Sequence, residues 1–67
     1  MEIILNGEAE VYEAPLNLQE LLQRLELSPE VVSITLNGRA VPKAELAQVF
    51  LREKDKVEVL LFMGGGV

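Results

Sequence analysis

Two Asn-Gly pairs constrain the fold of this chain more than any other feature. Asn6-Gly7 follows an apolar, β-prone run, and Asn37-Gly38 follows a β-branched one. Asn-Gly is the strongest short-range signal for a two-residue hairpin turn, because both residues accept positive φ. The sequence therefore predicts two antiparallel hairpins. Their strands span residues 2–6, 8–13, 31–36 and 39–41.

A helix is predicted between the two hairpins. Asn17 is a suitable N-cap, and Glu20 lies three residues later, as in a capping box. Apolar side chains then recur at helical spacing, with polar ones between them. The leucines of this stripe are Leu18, Leu21, Leu22 and Leu25. Ser28-Pro29 is expected to close the helix, because the residue before proline avoids helical backbone angles.

The second half of the chain predicts shorter elements. Residues 43–49 are expected to form one or two helical turns, and residues 52–55 a charged turn. Phe50 and Leu51, between them, are interpreted as core residues. The apolar run from Lys56 to Met63 predicts the last strand.

This order of elements predicts an α+β fold. One mixed sheet of four to five strands would carry one main helix on one face. The first and last strands are the most apolar, which favours adjacent central positions. The predicted core comprises Ile3, Leu5, Val11, the four helix leucines, Val32, Ile34, Leu36, Leu46, Val57, Val59 and Leu61.

The composition argues against a self-sufficient enzyme. The chain of 67 residues makes one domain and contains no Cys and no His. It therefore lacks the commonest general base, a thiol nucleophile and zinc-thiolate ligands. Its hydroxyl side chains lie in no nucleophile motif. We expect no metal site and no bound cofactor, so any chemistry must use a terminal group or a partner's residues.

The charge and hydropathy exclude other classes. Eleven acidic and six basic residues give a formal net charge of −5, which is no footprint for nucleic acid. The surface acids could meet a basic partner or only keep the protein soluble. The longest apolar run is far below the roughly 20 residues that span a bilayer, and the start lacks signal-peptide character. We expect a soluble cytoplasmic protein with no membrane and no nucleic-acid partner.

The chain ends in Gly64-Gly65-Gly66-Val67. Glycine has no side chain to bury and loses the most backbone freedom on ordering, so three glycines rarely serve packing. We interpret residues 64–67 as a flexible tail that can enter a narrow slot in another protein, and residues 1–63 as the folded domain. A frayed terminus without function is the alternative.

Alternation along the last strand predicts a docking surface next to the tail. The outer face of this strand changes from polar to apolar near its end, where Leu60 and Phe62 follow charged residues. Ile4 of the first strand is expected beside them. An exposed apolar cluster of this kind is typical of a partner-binding surface. The alternative is that residues 43–49 or a dimer partner cover it.

With these motifs in this order, the whole chain resembles the ThiS family of β-grasp (ubiquitin-like) sulfur carriers. The order of the segments together with a terminal Gly-Gly is fairly specific, although no single segment is. The similar segments are the Ile-Leu-Asn-Gly hairpin, the Leu-Gln-Glu-Leu-Leu helix, the Leu-Asn-Gly turn leading to Val-Pro, Leu-Arg-Glu-Lys-Asp-Lys-Val, and the ending Leu-Leu-Phe-Met-Gly-Gly-Gly.

The resemblance implies a mechanism at the tail. A ThiF-like adenylyltransferase would activate the C-terminal carboxylate with ATP and Mg²⁺, and a sulfur donor of the cysteine-desulfurase type would convert it to a thiocarboxylate for thiazole synthase. Gly66, supported by Gly65, would be the reacting end, and Gly64 would contact partners. The pathway implied is thiamin (thiazole) biosynthesis. A molybdopterin-synthase small subunit and a ubiquitin-like modifier or interaction module remain alternatives.

Two positions depart from the family pattern. Lys54 precedes Asp55 where the family commonly has Gly, which is expected to affect only the turn geometry. Val67 follows the glycines, whereas family members work with Gly-Gly at the end. A peptidase that removes Val67 to expose Gly66, an artefactual valine, and an inactive carrier are three open explanations, of which the first two are favoured.

Overall fold

The structure is a computed structural model that describes residues 1–62. Its elements are β1 (Glu2–Leu5), β2 (Glu8–Val11), α1 (Leu18–Arg24), a first 3-10 helix (Pro29–Val31), β3 (Val32–Leu36), β4 (Arg39–Ala40), a second 3-10 helix (Lys43–Gln48) and β5 (Lys56–Leu61). The five strands form one sheet in the order β2-β1-β5-β3-β4, in which only β1 and β5 are parallel. The predicted α+β fold, with adjacent first and last strands, is confirmed. Within residues 1–62, no helix is long and apolar enough to cross a membrane.

Both Asn-Gly pairs form the predicted turns. Asn6 and Gly7 have φ values of 50° and 85°, and Asn37 and Gly38 have φ values of 53° and 84°. Two successive positive φ values match the right-handed twist of the paired strands, which is why this dipeptide closes tight hairpins. The turns therefore fix the register of both hairpins.

The helix begins as predicted. Asn17 Oδ1 accepts the Glu20 backbone N–H at 2.7 Å, and Glu20 Oε1 accepts the Asn17 backbone N–H at 3.0 Å, which completes a capping box. The helix ends at Arg24, before the predicted stop at Ser28-Pro29. Glu26 takes a left-handed φ of 60°, a common way to end a helix.

The core lies between the helix and one face of the sheet. Most of the predicted core is confirmed, and Leu5, Leu25 and Leu36 are partly buried against it. Leu16 is also buried, although the sequence did not indicate it. The buried side chains are Ile3, Leu16, Leu18, Leu21, Leu22, Val32, Ile34, Leu46, Leu51, Val57 and Val59.

The prediction that Val11 lies in the core is wrong, because its side chain is 77% exposed. The two-residue turn pairs Val11 with Glu2 and Ala9 with Ile4. Successive residues of a strand point to opposite faces and paired residues to the same face, so Val11 shares a face with Glu2 and Ile4, away from the buried Ile3. We call this side of the sheet, opposite α1, the open face. The alternation in β2 is real, but the register directs its apolar residues to the open face.

Two more residues expected in the core are exposed. Phe50 is 52% exposed while Leu51 is buried, because successive residues of an extended segment point to opposite sides. The Leu51 N–H donates to the Leu16 carbonyl at 2.8 Å, which keeps this segment against the core. Leu61 is 49% exposed although it pairs with Val32, because it is the last residue of the last strand, where the core ends.

The turn before β5 keeps a backbone geometry that glycine would favour. Lys54 has a left-handed φ of 69° at the position where the resembled family commonly has Gly. Asp55 secures the turn: its Oδ2 accepts the Arg52 N–H at 2.8 Å and its Oδ1 accepts the Asn37 side-chain amide at 3.0 Å. Lys54 Nζ bonds the Glu2 carboxylate, and this hydrogen bond raises the pKa of Lys54 above its ordinary value.

Candidate partner-binding site

Strand β5 has different neighbours along its length. On one side, β1 ends at Leu5, which pairs with Val57. On the other side, β3 accompanies β5 as far as Leu61. The backbone pairing continues one step further, because the Phe62 N–H donates to the Val31 carbonyl at 2.8 Å. The end of β5 is therefore held by a neighbouring strand on one side only.

The side chain of Asn6 takes the place of β1 beside the middle of β5. Its Oδ1 accepts the Val59 N–H at 2.8 Å, and its Nδ2 donates to the Val59 carbonyl at 3.3 Å. The backbone N–H of Asn6 donates to the Val57 carbonyl at 2.8 Å. Alternate residues of a strand direct their backbone groups to the same edge, so Leu61 faces this edge too. Within residues 1–62, nothing bonds the Leu61 backbone there.

The open face becomes apolar at the end of β5. Leu60 is 66% exposed and Phe62 is 57% exposed, as the alternation predicted. Val31, whose carbonyl accepts the Phe62 N–H, is also exposed. We call Val31, Leu60 and Phe62 the tail-side patch. Sequence reasoning misses Val31, because only the pairing of β5 with the segment before β3 places it opposite Phe62.

Ile4 does not belong to the tail-side patch. It lies on the open face but pairs with Lys56, four residues before Leu60. At about 3.3 Å per residue, that separation is about 13 Å along the strand. The prediction that Ile4 lies beside Leu60 and Phe62 is therefore wrong. Ile4 instead lies beside Ala9, its partner on β2.

Phe62 also lines an open groove of about 360 Å³ beside β3. Its lining is mainly apolar and includes Val32, Ile34, Val41, Pro42, Lys43 and Leu46. The second 3-10 helix thus borders the groove but leaves more than half of Phe62 exposed. It is not the cover that the alternative interpretation of this surface required.

Gly64, Gly65, Gly66 and Val67 lie outside the described residues, as does Met63. The roles assigned to the glycines, and the boundary between residues 1–63 and 64–67, therefore stay predictions. Phe62, the last described residue, is still hydrogen-bonded to Val31.

The described part of the site is suited to binding. Its exposed side chains are apolar, and the edge of β5 at Leu61 offers an N–H donor and a C=O acceptor. In the part of the chain that the structure describes, no cluster of three or more His, Cys, Asp or Glu side chains could hold a metal ion.

A mixed sheet with parallel first and last strands at its centre, and one helix on one face, defines a β-grasp domain. Comparison with known proteins gives the family. The model of the ThiS family matches residues 2–66. The chain belongs to the ThiS family.

Solved structures and other relatives agree with this assignment. The crystal structure of a thiamine biosynthesis protein (ThiS) from Geobacter metallireducens superposes with a TM-score of 0.83 at 33% identity, covering 98% of this chain and 100% of that one. A thiazole synthase of Magnetococcus marinus is 41% identical over 66 residues, which are 98% of this chain and 20% of that protein. An uncharacterized protein, ycf40, of Porphyra purpurea is 33% identical over 98% of this chain and 93% of its own length. The chain thus spans about a fifth of the thiazole synthases that it matches.

Proposed function

We propose that this protein is a sulfur carrier for thiamine biosynthesis, a co-substrate that partner enzymes act on. Family membership and the similarity to a thiamine biosynthesis protein support this role. Thiazole synthase is the proposed final acceptor enzyme. In two relatives named thiazole synthase, the region similar to this chain makes up about a fifth of the thiazole synthase polypeptide.

The proposed reaction takes place at the carboxylate of Gly66. In an adenylyltransferase partner, this carboxylate attacks ATP, which forms an acyl adenylate and releases pyrophosphate. The terminal sulfur of a persulfide, supplied by a donor of the cysteine-desulfurase type, then displaces AMP and forms an acyl disulfide. A second thiol of the partner attacks the donor sulfur of that disulfide, forms a disulfide with it and releases the thiocarboxylate. Activation is needed because a carboxylate with a pKa of about 3.3–3.7 is ionised and a poor electrophile. ATP and Mg²⁺ belong to the partner, whose cationic groups stabilise the phosphoryl charge.

The end of β5 is the observation that carries the proposal. Leu60 and Phe62 are exposed, Leu61 has an unpaired backbone edge within residues 1–62, and the chain continues from there into Gly64. The tail-side patch would dock on the partner while Gly64, Gly65 and Gly66, which lack Cβ atoms, enter its active site. The folded domain would thus bind the partner, and the tail would carry the reacting carboxylate.

Val67 must be absent from the form that reacts, and we propose that a peptidase removes it. Two forms of the chain test the proposal: residues 1–67, and a form ending at Gly66. Each is incubated with the cognate adenylyltransferase, ATP, Mg²⁺ and sulfide, and its intact mass is measured. The form ending at Gly66 should gain the mass difference between sulfur and oxygen, and only when ATP is present. The form with Val67 should not change.

Other outcomes would contradict the proposal. An unchanged mass of the form ending at Gly66 would contradict the proposed sulfur-carrier function. Conjugates to lysine would indicate a ubiquitin-like modifier instead. Gly66→Val, made in the form that ends at residue 66, tests whether the partner's active site needs a terminal residue without a side chain. This variant should block ATP–pyrophosphate exchange while the domain stays folded. Full exchange with Gly66→Val would show that the partner does not require a terminus without a side chain.

A further inference from the structure

Asparagines of the two Asn-Gly turns bond the same strand, β5, one at its start and one at its middle. Asn37 holds the start of β5: its Oδ1 accepts the Lys56 N–H at 2.9 Å and its Nδ2 donates to Asp55 Oδ1 at 3.0 Å. Asn6 holds the second half, through the two hydrogen bonds between its side-chain amide and the backbone of Val59. The two residues are alike in sequence context, in positive φ and in bonding. They differ in their distance from the tail.

Asn6 bonds β5 at the point where β1 no longer lies beside it. β1 ends at Leu5, so the Asn6 side chain is the last group among residues 1–62 that bonds β5 on this edge. Val59 lies three residues before Phe62, whereas Lys56 lies six residues before it. Without the Asn6 amide, the segment from Val59 onward would be held by β3 alone and would fray from the sheet more often.

We infer that Asn6 is a positioning residue for the tail. Its amide ends the hydrogen bonding on the β1 side of β5 at Val59, and so helps to keep residues 59–62, from which the chain continues into the tail, against the sheet. The effect on activation rests on the proposed function. A partner that recognises the patch and the tail together binds only molecules in which residues 59–62 are in place. Its apparent affinity is therefore proportional to the fraction of molecules that are not frayed.

The test compares Asn6→Gly with Asn37→Gly. Glycine keeps the positive φ that each turn needs and removes only the side-chain amide, so the two variants are matched. Amide hydrogen exchange is measured on each folded variant by NMR. In Asn6→Gly, exchange should accelerate by about tenfold at Val59, whose N–H loses its acceptor, and at Phe62, whose N–H bonds the Val31 carbonyl, with little change at Lys56. In Asn37→Gly, the acceleration should be at Lys56.

Activation is then measured by ATP–pyrophosphate exchange with the forms ending at Gly66. Where about a tenth of the unsubstituted molecules are frayed, a tenfold larger opening constant leaves about half of them competent, so Asn6→Gly should raise the KM for the carrier by about twofold with little change in kcat. Asn37→Gly should leave KM unchanged at the same temperature. Asn6→Asp retains the acceptor for the Val59 N–H and should recover part of the affinity.

Three results would overturn the inference: unchanged exchange at Val59 in Asn6→Gly, an equal rise of KM in both glycine variants, or a loss of kcat with KM unchanged. Equal KM values would mean that Asn6 contributes only to general stability. Failure of the proposed function would look different, because even the unsubstituted form would then show no activation. The hydrogen-exchange comparison would still decide whether Asn6 holds the end of β5.

Discussion

The two halves of β5 belong to one continuous strand but have opposite environments. In the first half, Val57 is fully buried and β5 lies between β1 and β3. In the second half and just after it, Val59 is still buried but Leu60, Leu61 and Phe62 are all exposed, and among residues 1–62 β3 is the only neighbouring strand. The second half is no less apolar than the first. Apolar residues that are kept in a strand without being buried stabilise the fold little, which favours a role in binding.

The two halves of β5 also have different structural roles. The first half of β5 joins the two hairpins into one sheet, and its core side packs with the leucines of α1. The second half extends the sheet toward the tail, beyond the end of β1. Three comparisons between variants test these different roles of the two halves, in order of decreasing expected effect.

The largest effect is expected for Val57→Ala. Val57 is fully buried, so removal of its two methyl groups loses burial and leaves a cavity, at a cost of about 2 kcal/mol in the free energy of unfolding. Leu61→Ala, in the exposed half, should cost less than about 1 kcal/mol although it removes more carbon. Urea denaturation measures both. Equal costs would show that the two halves of β5 contribute to the fold in the same way.

Phe62→Ser tests the second half directly. Because Phe62 is exposed, the substitution should change the free energy of unfolding by less than about 0.5 kcal/mol. Binding to the adenylyltransferase, measured by calorimetry, should weaken by at least about tenfold, since exposed aromatic residues in a patch are typical binding hot spots. Val11→Ser is the control, because Val11 is an exposed apolar residue at a distant corner of the open face. If Val11→Ser weakens binding as much, or if Phe62→Ser unfolds the protein, the patch is not the docking site.

The smallest effect is expected at the turn that leads into the first half. Lys54 has φ of 69°, which glycine accepts and other residues resist. Lys54→Gly and Lys54→Ala both lose the bond to Glu2, so their difference isolates the backbone. Lys54→Gly should be the more stable by about 1 kcal/mol, measured by thermal and urea unfolding. If the two variants are equally stable, the left-handed turn carries no strain in the folded protein.

Much of the fold follows from local sequence signals. Asn6-Gly7 and Asn37-Gly38 specify turns, and Asn17 with Glu20 specifies the start of the helix, because each acts within a few residues of the chain. The exposed positions of Leu60 and Phe62 also follow from simple alternation along a strand. These predictions need no knowledge of what packs against what.

The errors have a common physical cause. Val11, Phe50 and Leu61 were expected inside because they are apolar, but burial depends on which face the register selects and on how far the core reaches. Ile4 was expected beside Leu60, but the parallel pairing of β1 with β5 aligns it with Lys56. Each of these outcomes is set by contacts between segments far apart in the chain.

The amino-acid sequence determined the turns, the helix start, the β-grasp order and the family of this protein, since these depend on neighbouring residues and on the pattern of the whole chain. The tertiary structure alone decided that β1 stops short of the end of β5 and that the Asn6 amide replaces it at Val59. Strand lengths and side-chain to backbone bonds across 53 residues arise from packing in three dimensions, which no local pattern encodes.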